Sequence, residues 1–252
     1  MRDATYRCAA RVATATCRLA AIRLDVQGIG NLPAAGGVVL AVTHLSFLAF
    51  VFVGLAYDRR ARRPVRFLAK RSLFDHRLTG PLLRAAGQIP VDRSAGAAAY
   101  RAAVDALRAG EVVAVFPEAT ISRSFVPRRL ATGAARMAAE AGVPLIPVVT
   151  WGGQRLWTAG RRPRLTRRVP VTVRVDPPLV VVDGEGADDV TGRMACRLAA
   201  MVGDVIAAYP DRADGAGAWW MPAHLGGSAP TPQEAATAEL RAIGDRASPG
   251  AA

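Results

Sequence analysis

The sequence predicts an α/β fold, a sheet with helices on its faces, and three observations support that prediction. Strand-like apolar runs alternate with helix-like segments along most of the chain, which is typical of sheets covered by helices. The chain has 252 residues, of which 51% are hydrophobic, so it is long enough to bury one sizeable core. Polar clusters follow several apolar runs directly, at the strand ends where the sites of open α/β sheets assemble.

Hydrophobic periodicity predicts the elements in order. Residues ~3–24 have a helical pattern in which Arg7, Arg11 and Arg18 fall on one narrow face. Such a helix lies either in a membrane interface or against the domain with a solvated basic edge, and both interpretations stay open. Strands are predicted at 38–42, 65–69, 89–91, 112–116, 145–150 and 169–175, and helices at 47–57, 79–86, 95–108, 133–141 and 190–209.

The same pattern divides the chain into three parts. Residues 1–30 form an N-terminal helical element that we expect to associate with a membrane, and residues 31–210 form the α/β domain. Residues 211–252 form a tail with one weak helix from Thr231, which we expect to be partly ordered and to end in disorder. No charged side chain occurs between residues 26 and 57, but Pro33 and several glycines interrupt this stretch, so we predict no transmembrane helix there.

The net charge of +13 comes almost wholly from arginine, since Lys70 is the only lysine. This charge favours anionic partners such as a membrane surface, nucleic acid or an acidic ligand. Nucleic acid is not expected, because the chain has no recognisable binding motif and few aromatic residues to stack on bases. Three separated cysteines, Cys8, Cys17 and Cys196, predict a reducing compartment without disulfides, and the scattered histidines and cysteines predict no metal site.

Four short segments at strand ends carry the candidate chemistry. His44 leaves an apolar run at 38–42, which is a good position for a general base, although a lone histidine there is more often structural. Arg93 follows a short strand, and its planar guanidinium suits an anionic group. Between residues 118 and 123, a carboxylate, two hydroxyls and a cation follow a third apolar run, a density that is uncommon without a ligand. The fourth segment, 142–148, has prolines that bracket a strand.

In this order, over residues 38–150, the four segments resemble the motifs of the lysophospholipid acyltransferases, the PlsC-like 1-acylglycerol-3-phosphate O-acyltransferases. The motifs of that family are His-x4-Asp, Gly-x-Ile-x-x-Asp-Arg, Phe-Pro-Glu-Gly-Thr-Arg-Ser and Val-Pro-x-x-Pro-Val. Here the second begins at Gly87, the third at Phe116 as Phe-Pro-Glu-Ala-Thr-Ile-Ser-Arg-Ser, and the fourth at Val143. With the downstream Trp-Trp-x-Pro-x-His-Leu-Gly-Gly from Trp219, the third motif looks like an actinobacterial-type branch.

The resemblance implies a fold and a function. The fold is a mixed, mostly parallel sheet flanked by helices, with an N-terminal amphipathic helical element. The function is O-acyl transfer in phospholipid biosynthesis, from acyl-CoA or acyl carrier protein to the hydroxyl of a lysophospholipid. No cofactor or metal is implied, because the acyl donor is a co-substrate. The expected location is the cytoplasmic face of the cell membrane, as a peripheral protein on an anionic surface.

The resemblance also implies roles for individual residues. His44 deprotonates the acceptor hydroxyl, which attacks the thioester without a covalent acyl-enzyme. Arg93 holds the acceptor's head group, usually a phosphate, and Glu118 with Thr120 organises the acceptor site. The candidate substrate-binding residues are Ser46, Arg93, Thr120 and Arg123.

Two departures from the family motifs bear on activity. Ala49 stands where the first motif has the aspartate that orients the histidine, and removal of the analogous partner in serine proteases costs on the order of 10⁴ in kcat. Asp58 lies about two and a half helical turns beyond Ala49, too far to substitute simply. Either natural variation or an engineered change explains this alanine. Ile121 replaces the arginine of the third motif, which removes a phosphate contact that Arg123 is a candidate to restore.

Three further interpretations stay open. A non-catalytic relative that binds lipid or acyl donor is favoured by Ala49, and an acyltransferase with a different lipid acceptor is compatible with Ile121. A hydrolase is disfavoured because the chain has no Gly-x-Ser-x-Gly motif. The arginines between residues 155 and 168, beside Trp151 and Trp157, suit either an anionic membrane interface or a solvated basic hairpin.

Overall fold

The computed structural model describes residues 2–77, 79–92, 96–164, 166–181, 184–211 and 217–247. Its central feature is a seven-stranded sheet with the order β1-β7-β6-β2-β5-β3-β4. The strands are β1 (Arg23–Gln27), β2 (Val38–Val42), β3 (Val65–Lys70), β4 (Ile89–Val91), β5 (Val112–Val115), β6 (Leu145–Trp151) and β7 (Pro170–Val175).

All neighbouring strands are parallel except β6 and β7, which are antiparallel. The sheet is therefore mixed and mostly parallel, as the resemblance implied. Each predicted strand is present to within one residue at either end. The continuous apolar run of β2 is fully buried over all five residues, as expected for a strand covered on both faces.

Eight helices surround the sheet in the described part of the chain. They are α1 (Arg2–Leu19), α2 (Ala49–Ala61), α3 (Arg71–Asp75), α4 (Thr79–Ala85), α5 (Gly96–Arg108), α6 (Gly133–Ala141), α7 (Ala187–Ala207) and α8 (Pro232–Ala247). The sequence did not predict α3. The weak helix expected from Thr231 is α8, and residues 248–252, where disorder is predicted, lie outside the described residues.

The core has two apolar layers, one on each face of the sheet. On one face, residues of α5, α6 and α7 cover the sheet, with Met194 and Leu198 of α7 fully buried. On the other face, α2 supplies Phe52 and Tyr57, which pack on side chains such as Leu40. Burial of side chains this large contributes roughly 1.5–3 kcal/mol each, so helices on both faces fix the sheet.

The prediction of a helix over residues ~3–24 is wrong at its C-terminal end. Helix α1 ends at Leu19, Ala21 has a left-handed backbone (φ 51°), and Arg23–Gln27 forms β1. Strand β1 pairs in parallel with β7, more than 140 residues away along the chain. Long-range pairing therefore overrides the local helical pattern.

Helix α1 packs on α2, and the Tyr6 hydroxyl donates to the carbonyl oxygen of Gly54 at 3.3 Å. Val12 and Leu19 remain largely exposed on its outer surface. Within the described residues, no helix is both long and apolar enough to cross a bilayer.

Candidate active site

His44 lies just beyond the C-terminal end of β2, at the middle of the sheet. Its ring stacks on that of Phe116, which follows the neighbouring strand β5, with 3.9 Å between ring centroids. Its Nδ1 atom is buried and has no hydrogen-bond partner among the residues that the structure describes. Burial lowers the pKa of His44 to about 4, because the imidazolium is poorly solvated there. The side chain is therefore neutral at pH 7.

Glu118 is a buried carboxylate that joins two loops at the same edge of the sheet. Its Oε1 accepts from the backbone N–H of His44 at 3.0 Å, and its Oε2 accepts from that of Arg128 at 3.3 Å. Burial raises the pKa of Glu118 to about 7, although both backbone donors and the charge of Arg128 oppose this rise. The carboxylate holds the backbone of His44, and the imidazole Nδ1 stays without a partner in the described structure.

A second hydrogen bond fixes the same pair of loops. The backbone N–H of Ser122 donates to the carbonyl oxygen of His44 at 2.9 Å. Ala119 has a left-handed backbone (φ 57°) at the position where the family motif has glycine, the residue that adopts this conformation most easily. Ala119 therefore holds a backbone conformation that glycine would adopt with less strain.

Ser46 is buried, and its hydroxyl is engaged within the protein. It donates to the carbonyl oxygen of Trp157 at 2.9 Å and accepts from the backbone N–H of Leu48 at 3.0 Å. These bonds anchor the start of α2, whose first residue is the fully buried Ala49. A methyl group cannot accept a hydrogen bond, so Ala49 offers nothing to His44.

The other candidate residues differ in how deeply they are buried. Thr120 and Arg123 are half-buried in the loop after β5, whereas Ile121 is an apolar core residue, 5% exposed. Arg93 lies outside the described residues, so the structure says nothing of its position. The roles assigned to all these residues in catalysis or substrate binding stay predictions.

A third loop, residues 152–164, closes the same region. The Thr158 hydroxyl donates to the carbonyl oxygen of Leu45 at 2.9 Å, and the backbone N–H of Phe47 donates to that of Trp157 at 3.2 Å. The rings of Phe47 and Trp157 lie 4.8 Å apart at the surface, and both are about 40% exposed. Phe116 begins the third motif and Phe47 follows Ser46, but the sequence predicted no role for either ring.

The idea that Trp151 faces a membrane interface is wrong. Its side chain is 0% exposed and makes edge contacts with the rings of Phe125 and Tyr209, with centroids 6.5 and 6.4 Å away. Burial in the sheet separates it from the arginines that follow it. Trp157 is the one of the pair that reaches the surface.

The fold and motifs agree with comparisons to known proteins. The family model "Acyltransferase" matches residues 23–151, just over half of the chain. The chain belongs to the Acyltransferase family. The matched segment of this family member contains the His44 and Glu118 loops together with six of the seven strands.

Two relatives and one solved structure resemble this acyltransferase-family chain. It is 31% identical to the 1-acyl-sn-glycerol-3-phosphate acyltransferase of Bacillus subtilis over 52% of its length and 65% of the relative's. It is 29% identical to the enzyme of the same name from Borreliella burgdorferi, over 53% of each chain. The chain thus spans between half and two thirds of these relatives.

The structural neighbour is the 1-acyl-sn-glycerophosphate acyltransferase PlsC of Thermotoga maritima, with a TM-score of 0.68. The match covers 83% of both chains at 20% sequence identity. At that identity the likeness establishes the glycerolphosphate-acyltransferase-like fold. The actinobacterial-type branch stays a prediction.

Proposed function

We propose that the protein transfers a fatty acyl group from acyl-CoA or acyl carrier protein to the hydroxyl of a 1-acylglycerol-3-phosphate-like lysophospholipid. The observation that carries this proposal is His44, a neutral imidazole at the carboxyl end of the central strand, tied through its backbone to Glu118. The names of the similar bacterial proteins support the same acceptor class.

The reaction needs one base that later acts as an acid. Since Nδ1 of His44 is buried, Nε2 is the nitrogen that accepts the proton of the acceptor hydroxyl. The alkoxide oxygen bonds to the thioester carbonyl carbon, and the carbon–sulfur bond then breaks. The imidazolium returns its proton to the leaving thiolate. No acyl group is ever attached to the protein.

The environment of His44 makes this base weak. Forming the imidazolium in a site that depresses the pKa from 6.5 to about 4 costs about 3 kcal/mol relative to water. A carboxylate at Nδ1 would offset this cost, and Ala49 cannot supply one. We therefore propose that the chain transfers acyl groups much more slowly than it would with aspartate at position 49.

The protein is proposed to act at the cytoplasmic face of the cell membrane as a peripheral protein. Arg7, Arg11 and Arg18 of α1 are exposed, as are the apolar Val12 and Leu19 of the same helix. A helix that presents both cations and apolar side chains suits the surface of an anionic bilayer. The net charge of +13 acts in the same direction.

A second candidate function is binding without catalysis. The buried, unpartnered Nδ1 of His44 and the alanine at position 49 favour a relative that binds lipid or acyl donor without turnover. An acyltransferase with another lipid acceptor is a third possibility, because Ile121 is buried where the family motif has arginine.

The test is thiol release from acyl-CoA or acyl carrier protein with lysophosphatidate in vesicles. It compares the chain with Ala49→Asp, with Ala49→Asn as the matched uncharged control, and with Ala49→Asp/His44→Ala. We expect Asp to raise the rate by several orders of magnitude, Asn to leave it low, and His44→Ala to abolish the gain.

Two other outcomes lead to different conclusions. Equal and substantial rates of thiol release with alanine and aspartate at position 49 would show that His44 needs no carboxylate. Absence of thiol release from all variants, with both donors and several acceptors, would contradict the proposal and favour the binding protein.

A further inference from the structure

Two guanidinium groups lie over one tryptophan ring, and a third contacts the glycine next to one of these two arginines. Arg161 lies over the ring of Trp219 with its Cζ 4.1 Å from the centroid, and Arg164 lies over the same ring at 5.8 Å. Arg123 packs against Gly160, where a β carbon would lie 3.4 Å from its Cζ. Cation–π contacts of this kind orient an arginine without neutralising it.

These arginines have no carboxylate partner within the described part of the chain. Neighbouring arginines do: Arg128 pairs with Glu239 and Arg155 with Asp211. Arg161 and Arg164 are exposed, and partial burial together with the nearby charge of Arg164 lowers the pKa of Arg161. Like charges held together without a counterion favour an anion, and guanidinium groups match phosphate oxygens in geometry and charge.

The segments that carry the cluster are fixed to the loop of His44. Ser122, adjacent to Arg123, donates its backbone N–H to the carbonyl oxygen of His44 at 2.9 Å. Thr158, three residues before Arg161, donates its hydroxyl to the carbonyl oxygen of Leu45 at 2.9 Å. The two segments that carry these arginines are therefore each hydrogen-bonded to the loop of the candidate base.

We infer that Arg123, Arg161 and Arg164 form a binding site for the phosphate monoester of a substrate, with Trp219 as the residue that positions Arg161 and Arg164. Ile121, where the family motif has arginine, is buried and carries no charge, which leaves this task to other cations. The inference rests on the proposed function and deepens it. A phosphate monoester occurs both in the head group of lysophosphatidate and in the 3′-phosphate of coenzyme A.

The test measures binding, which does not require turnover. Isothermal titration with a soluble short-chain lysophosphatidate, with coenzyme A and with inorganic phosphate compares the chain with two double variants. Arg161→Gln/Arg164→Gln removes the cluster's charge. Arg162→Gln/Arg167→Gln removes the same charge from two arginines of the same segment that are equally exposed but are not held over Trp219.

We expect the first double variant to weaken binding of at least one phosphate monoester by about tenfold or more. The second should weaken it by less than about twofold, because neither of its arginines is positioned by Trp219. Selective loss of lysophosphatidate binding assigns the site to the acceptor, and selective loss of coenzyme A binding assigns it to the donor. If the first variant does not fold, Arg164→Gln alone takes its place, with Arg162→Gln as its control.

Equal weakening by both double variants would overturn the inference, because it would show a general effect of net charge. Absence of phosphate-monoester binding to the unmodified chain would overturn it too. Thiol release by the Ala49→Asp chain that is insensitive to loss of Arg161 and Arg164 would refute this site and leave the proposed function standing. Binding that depends on the cluster, without acyl transfer by any variant, would refute only the proposed function.

Discussion

His44 and Glu118 should contribute opposite pH dependences to the stability of the protein. The pKa of His44 falls from 6.5 to about 4 on folding, so the unfolded chain binds more protons between these values. Its contribution is present above pH 6.5 and is lost as the pH falls towards 4. The pKa of Glu118 rises from 4.5 to about 7, so the folded chain binds more protons in that window. Its contribution is present below pH 4.5 and is lost as the pH rises through 7.

The two effects should cancel between pH 4.5 and 6.5, because each changes the free energy of unfolding by about 1.4 kcal/mol per pH unit with opposite sign. Glu118→Gln removes one of them. Relative to the unmodified chain, the variant should gain about 3 kcal/mol of stability from pH 4.5 to 6.5. His44→Gln should lose a similar amount over the same range. The hydrogen bond that glutamine cannot accept from Arg128 adds a constant offset and leaves the slope unchanged.

Urea unfolding at half-unit steps of pH measures this slope as the difference between variant and unmodified chain, so contributions of other groups subtract out. The slopes of the two difference curves should have opposite signs. Flat curves for both variants would refute the reasoning, since they would show that neither group changes its pKa on folding. If only one difference curve has a slope, only the group removed in that variant changes its pKa on folding.

Two other changes test the site and the fold. Ala49→Asp should raise the pKa of His44 well above 4, because a nearby carboxylate stabilises the imidazolium. NMR titration of the imidazole would detect this as protonation at a higher pH. An unchanged pKa would show that residue 49 does not reach the ring. Gly152→Ala should destabilise the protein by about 3 kcal/mol or more, because its β carbon would lie 2.1 Å from the carbonyl oxygen of Pro170. Its control, Gly142→Ala, also has a positive φ (63°) but open space around the new β carbon, and should cost only about 1–2 kcal/mol in thermal or urea unfolding. Equal losses would contradict the steric argument.

Most strands of the sheet could be predicted because each is a short apolar run that is visible in the local sequence. The five residues of β2 are all apolar and all buried, and a glycine pair precedes them. Strand β1 carries no such mark, since only Leu24 and Val26 of its five residues are apolar and they are half-buried. Its pairing with β7 becomes visible only when the chain is folded.

The centre of the site could also be predicted, because parallel neighbours end at the same edge of a sheet. His44 follows β2 and Glu118 follows β5, and these strands pair directly. The contact between the two residues could not be predicted from sequence, because the carboxylate of Glu118 accepts from the backbone N–H of His44 and not from its ring. The cluster of Arg161 and Arg164 on Trp219 depends on the path of the C-terminal segment, which no local pattern specifies.

Ala49 and the unpartnered Nδ1 of His44 both bear on the proposed base: the motif position of its carboxylate holds a methyl group, and the ring nitrogen has no partner among the described residues. Ala49 is the first residue of α2, where a carboxylate is favoured by the helix dipole by about 0.3–1 kcal/mol. The helix therefore still suits an aspartate at this position. Glu118 does not take over this role, because it accepts from the backbone N–H groups of His44 and Arg128 and not from the ring of His44. On the proposed mechanism, the side chain at position 49 decides whether the imidazole of His44 has a carboxylate partner.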